Sequence, residues 1–129
     1  MDTGIKGKAT LTVSEKDTAI AHGSGTLKVL ATPALVALME RTAWESIADQ
    51  LEPGQTTVGT AMDMQHTAPT PIGMTVTCES ELVAIDRRAL TFKLTAYDDR
   101  GPVGTATHGR FIVDAEKFQG KADSKKQAE

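Results

Sequence analysis

Glu40 and His66 are the two side chains of this 129-residue chain whose setting most invites chemistry, because both fall on faces that otherwise read as apolar. In LVALMERTAWESIADQL, residues 35–51, a helical wheel turning ~100° per residue from Leu35 gathers Val36, Met39, Ala43, Ile47 and Leu51 into one arc. Leu35 and Trp44 extend its edges, and Glu40 falls at about 140°, between Ile47 and Leu51. Arg41, Glu45 and Asp49 lie on the opposite side. A carboxylate inside an apolar stripe is costly unless it is paired, hydrogen-bonded or protonated. That makes Glu40 a candidate nucleophile or base; the plainer reading is a glutamate that snorkels to solvent or pairs structurally. His66 ends the run TTVGTAMDMQH, in which Val58, Met62, Met64 and His66 share one strand face and Thr57, Gly59, Asp63 and Gln65 the other. It reads alone as a satisfied core histidine, and together with Glu40 as half of an acid–base pair.

Three weaker candidates accompany them. Thr32 precedes Pro33 and reads most simply as a helix cap, although a hydroxyl at a helix N-terminus also stands where an anion or developing oxyanion is favoured. Gly59 inside a strand lets a ligand or another backbone approach closely. Arg110 shares a face with His108 and is long enough to reach a phosphate or carboxylate, the plainer reading being a solvated arginine. Cys78 reads as a small buried hydrophobe.

The elements that must position these groups follow from pattern. Residues 8–14 alternate as a first strand, and the polar stretch Glu15–Thr26 reads as a mobile loop. Thr32-Pro33 starts a helix over 33–51, and Pro53-Gly54 stops it. The 57–66 strand ends at the breaker run Ala68–Gly73. Met74, Val76, Cys78, Leu82 and Ala84 then share a face, as do Leu90, Phe92, Leu94 and Ala96 after the turn Asp86-Arg87-Arg88. A last strand over about 103–114 sets Ala106, His108, Arg110 and Ile112 on one face. One helix beside an antiparallel meander predicts an α+β fold in a single domain over 1–118, with a polar, disordered tail over 119–129. Uncovered sheet edges predict a homodimer.

Composition removes several classes of function. Hydrophobic residues at 40% and charged residues at 24% describe a globular chain. Fourteen basic against seventeen acidic side chains, a net charge of −3, argue against a nucleic-acid partner, and five aromatics against a base-stacking platform. No apolar run is long enough to span a membrane and MDTGIKGKAT has no apolar leader segment, so no membrane partner is expected. A single cysteine excludes an internal disulfide and a Cys-based zinc cage, and fits a reducing, cytoplasmic compartment. Phosphate-cradling, dinucleotide, nucleophile-elbow and H-E-x-x-H motifs are absent, and the three histidines have no ligand spacing. The expectation is chemistry with no metal and no cofactor.

LMERTAWESIADQLEPG followed by VGTAMDMQHTAPTPIGMTV resembles the hotdog-fold thioesterases, and among them the fluoroacetyl-CoA thioesterase family. Thr107-His108-x-Arg110 and Glu116-Lys117-Phe118 fit the same pattern, which covers about residues 30–118. The resemblance implies an antiparallel sheet wrapped around one long central helix, and hydrolysis of a small acyl-CoA to a carboxylate and CoA. It implies a catalytic set of Glu40, His66 and Thr32, and a binding set of Gly59, by its backbone N–H, and Arg110. It leaves open whether Glu40 attacks or deprotonates water, and whether Glu40 and His66 come from one subunit or two. The family's phenylalanine-bearing lid has no counterpart in AHGSGTLKVLAT, so selectivity for a fluorinated acyl group is not implied. A non-catalytic acyl-CoA-binding or resistance protein of the same fold is the alternative, with a hotdog dehydratase behind it.

Overall fold

In the computed structural model, which describes residues 1–126, five strands form one antiparallel sheet. They are β1 (Lys6–Thr12), β2 (Gln55–His66), β3 (Thr75–Asp86), β4 (Ala89–Asp98) and β5 (Gly101–Asp114), in the spatial order β1-β3-β4-β5-β2. The helices are α1 (Ala19–His22), α2 (Thr32–Ile47) and α3 (Ala115–Asp123). The sheet wraps α2, giving the α+β architecture that the resemblance implies. Tight turns join β3 to β4 and β4 to β5, whereas β2 must cross to the far side of β5 and so ends as an edge strand.

The core forms where α2 meets the sheet. Leu35, Leu38, Met39, Ala43 and Ile47 pack on Val76, Cys78, Leu82, Leu90, Phe92, Leu94 and Ala96. Each large side chain removed from water there contributes ~1.5–3 kcal/mol. Leu35 reaches from the helix onto β5 where Gly104 has no side chain: a Cβ there would stand 3.1 Å from Leu35 Cδ2. The buried residues of α2 are Ala34, Leu35, Leu38, Met39, Thr42, Ala43 and Ile47. The apolar stripe is therefore rotated from the expected one, with Leu35 and Thr42 near its centre and Glu40 at its rim. The cause is that α2 packs chiefly over β1 and β3 and only sparsely over β2, so the flank holding Glu40 is not closed within the chain.

Three register irregularities overturn the simple alternation, one of them between Ala96 and Tyr97 in the β4–β5 pairing, where Val103 joins the buried side. The other two are β-bulges, one in β2 between Gly59 and Ala61 and one in β3 between Leu82 and Ala84. A bulge inserts one residue and flips the face of everything after it. Gly59, expected opposite His66, therefore shares the helix-facing side with Met62, Met64 and His66; its partner Arg110 and theirs, His108, Ala106 and Gly104, confirm the register. Ala84 likewise turns outward and Ile85 takes its place against the core.

The stretch 15–26 is not a free loop. Ser14 N–H and Oγ both donate to Asp17 Oδ2 at 2.9 Å, a reciprocal cap that starts a 3-10 turn at Glu15–Asp17. Thr18 then caps α1 by accepting from the Ala21 N–H. Asp114 caps α3 in the same way, and the chain is helical through Asp123 and 3-10 through Lys126, fully exposed. Over 119–126 this replaces the disordered tail expected from composition, because a cap supplies a start signal that periodicity misses; residues 127–129 of that expectation lie outside the described residues.

Candidate functional site

The residues singled out from sequence gather into two groups along β2, one at its C-terminal end and one at Gly59 in its N-terminal half. At the C-terminal end, Thr32 in the first turn of α2 lies 2.8 Å from His66, Oγ1 to Nδ1. The threonine hydroxyl is thus not a helix cap, as its place before Pro33 suggests; Ala31 occupies the cap position and no side chain bonds there. His66 Nε2 is buried and has no partner among the described residues. A cleft of about 280 Å³ opens beside the pair, lined among others by Ala19, Ser24, Leu30 and Ala68.

The other group surrounds Glu40. Its Oε2 lies against Gly59, 2.7 Å from where a Cβ would stand, and 3.8 Å from Arg110 Nη1. The Glu40 side chain is 43% exposed and that of Arg110 8%, so the ion pair is one-sided. A pair this long with an acid this open contributes ~0–1 kcal/mol. Arg110, expected from sequence as most simply solvated, is instead held by three other bonds. Nε donates to Thr57 Oγ1 at 2.8 Å, Nη2 to the Thr57 carbonyl at 3.0 Å, and Nη1 faces His108 Nε2 at 3.2 Å. His108 was not among the candidates; the one signal for it is a polar pair, His108 and Arg110, on the strand face of Ala106 and Ile112.

The structure does not bring the two groups together within one chain. Thr32 and Glu40 are eight positions apart on the helix, about 12 Å along the axis. Gly59 and His66 are seven positions apart on the bulged strand, about 20 Å.

Burial pushes the His66 imidazole below its ordinary value, partly countered by a hydrogen bond with the Ala68 backbone. Burial also lowers His108 and Arg110; Ala61's carbonyl and Glu40 pull His108 back up, while Arg110 lowers it further. An imidazole whose folded pKa lies below its unfolded one binds fewer protons in the native state. Its contribution is intact above the ordinary value of 6.5 and is lost as pH falls below that. The urea midpoint is expected to drop between pH 7.5 and pH 5, and a flat profile would contradict the burial of both rings. Among the described residues, no group of three or more His, Cys, Asp or Glu side chains could hold a metal ion. None of the described helices is long and apolar enough to cross a membrane.

Residues 13–116 match the family described as fluoroacetyl-CoA-specific thioesterase. A curated fluoroacetyl-CoA thioesterase of Streptantibioticus cattleyicolor is 40% identical over 98 residues, which is 76% of this chain and 70% of that protein. A solved fluoroacetyl-CoA thioesterase structure superposes with a TM-score of 0.92 at 32% identity, covering 98% of each chain. A hot-dog-like protein from Thermanaerovibrio acidaminovorans, at 21% identity and a TM-score of 0.88 over 98% of this chain and 94% of that one, shares the fold.

Proposed function

The chain belongs to the fluoroacetyl-CoA-specific thioesterase family and is an acyl-CoA thioesterase, and we propose that it hydrolyses a small acyl-CoA at a site shared by two copies. The observation that carries this reading is that Glu40 lies against Gly59, seven positions along β2 from the Thr32–His66 pair. That strand is twelve residues long, lies at the sheet edge and has β5 as its neighbour on one side. Its other side presents backbone donors and acceptors to a second copy. Two β2 edges paired antiparallel and centred near Met62 set residue 59 of one copy opposite residue 66 of the other. Glu40, which lies on Gly59, then meets His66 of the second copy, and a homodimer closes two such sites by symmetry.

In that cleft the thioester carbonyl is polarised by the Gly59 N–H. Glu40 either attacks the carbonyl to form an acyl anhydride, expelling CoA thiolate, or takes a proton from the attacking water. His66, oriented by Thr32 and with Nε2 unpartnered, binds the substrate and carries a proton to or from the reacting oxygen or sulfur. Arg110 binds the substrate's polar part. All five groups lie within residues 1–118, the proposed single domain. No cofactor takes part in this scheme. A reducing, cytoplasmic compartment suits the free, buried thiol of Cys78.

The acyl group is a small one, with Ala19, Ser24 and Leu30 rather than aromatic side chains beside the Thr32–His66 pair. The test is thiol release from a panel of short, branched and aromatic acyl-CoAs. Turnover of the short members supports the reading; stoichiometric binding with no thiol released supports the acyl-CoA binder instead. Gly59→Ala sharpens it. The new methyl would meet Glu40 Oε2 at 2.7 Å, the free end of a flexible side chain, so folding survives by moving the carboxylate. A kcat loss of about tenfold to a hundredfold with little change in Tm is expected.

A further inference from the structure

We propose that His108 is a positioning residue for the Glu40 carboxylate and acts through Arg110; the inference rests on the reading of Glu40 given above. Its ring is 1% exposed on the helix-facing side of β5, between Met62 of β2 and Phe92 of β4, whose centroid is 6.3 Å away. Nδ1 lies 2.7 Å from the Ala61 carbonyl oxygen. A carbonyl only accepts, so Nδ1 carries the hydrogen and Nε2 is left as an acceptor. Arg110 Nη1, 3.2 Å away, has only hydrogens to give and donates to it. A single neutral tautomer satisfies both neighbours.

That tautomer completes the clamp on the guanidinium. With Nε and Nη2 on Thr57 and one Nη1 hydrogen on His108, the planar group cannot swing. The same Nη1 faces Glu40 Oε2, 3.8 Å away. Glu40, nearly half exposed, is otherwise free to leave its place against Gly59. The Ala61 bond acts on the same spot from the strand side. Ala61 is the first residue paired after the bulge, and fixing its carbonyl fixes the backbone turn that keeps Gly59 facing the helix.

The charged groups facing the ring are Arg110 from its own strand and Glu40 from α2. β2 offers the Ala61 carbonyl, and β4 the uncharged Phe92. A proton on Nε2 would set N–H against N–H at the Arg110 contact, breaking the clamp. The neutral ring is the working form, as an environment of burial and a neighbouring guanidinium favours.

Thiol release by the full chain between pH 5 and 8 tests this with two variants. His108→Gln keeps an acceptor for Arg110 and does not titrate, whereas His108→Phe keeps a ring and loses both bonds. The phenylalanine variant is expected to lose about tenfold or more in kcat, and the glutamine variant to stay within about threefold of wild type. The acid limb of the glutamine variant should also be shallower, which a merely structural role would not produce. Phenylalanine as active as wild type, glutamine no better than phenylalanine, or unchanged acid limbs would overturn the proposal. Where the phenylalanine variant fails to fold, long-range 1H–15N spectra of wild type at pH 7 decide: hydrogen on Nδ1 is expected, and hydrogen on Nε2 overturns it. A fully active Glu40→Gln would sink the reading of Glu40 itself; an inactive Glu40→Gln beside a fully active His108→Phe would sink only the role of His108.

Discussion

Glu40→Gln is expected to lower thiol release by about a thousandfold or more while leaving the fold intact. Glutamine has the same size and reach, so the contact with Gly59 survives. What disappears is the lone pair that attacks the carbonyl or draws the proton from water, and both routes lose it equally. The stability cost is small, because the pair with Arg110 is long and open to solvent and contributes ~0–1 kcal/mol. Glu45 supplies an internal control. It stands on the same helix, 3.8 Å from Arg41 and similarly exposed, in a pair as long as that of Glu40 with Arg110. Glu45→Gln removes an equivalent surface charge with no glycine, no buried arginine and no partner imidazole nearby, so its turnover should match wild type. Parallel thiol-release and melting measurements on both variants separate loss of a reacting group from loss of a helix charge. Turnover by Glu40→Gln within threefold of wild type would remove this carboxylate from the chemistry.

The local grammar of the chain is written plainly and its long-range geometry is not. Pro33 and Pro53-Gly54 bracket the helical stretch because a proline at the first turn and a breaker act within a few residues, although the threonine is no cap and the α-helix ends at Ile47, short of the expected residue 51, with a 3-10 turn to Gln50. The strands are equally legible, since alternation is a nearest-neighbour property. The bulges are not: nothing in Gly59-Thr60-Ala61 or Leu82-Val83-Ala84 announces an extra residue, because a bulge answers to the partner strand. That single insertion decides that Gly59 and His66 share a face. The same limit explains Glu40, placed inside the apolar stripe by the wheel but at its rim by packing, since a wheel cannot say over which strands a helix will lie. Arg110 and His108 show the converse. That His108 and Arg110 share a strand face was visible, but that the face turns inward and that they are satisfied through Thr57 and Ala61 depends on register with a strand some fifty residues away.

Mixing Glu40→Gln with His66→Ala, each nearly inactive alone, is expected to restore about a quarter of wild-type turnover. The figure follows from symmetry. A one-to-one mixture that exchanges subunits holds half of its dimers as heterodimers. Each heterodimer has one site with both lesions and one with neither, because the intact Glu40 belongs to the chain that lacks His66 and faces the chain that keeps it. One site in four is therefore whole. Were Glu40 and His66 of the same chain to work together, every site in the mixture would carry one lesion and nothing would return. The gain is about 250-fold or more above the Glu40→Gln parent, large against any contamination by wild type, and it scales with subunit exchange. Incubation under mildly dissociating conditions should raise it, and dilution of the unmixed variants should not. Recovery of that size needs a dimer, the juxtaposition of Gly59 with His66 across paired β2 edges, and the joint action of the two side chains. A mixture that exchanges subunits, as native mass spectrometry of differently labelled copies would verify, yet stays inactive would rule out the shared cleft.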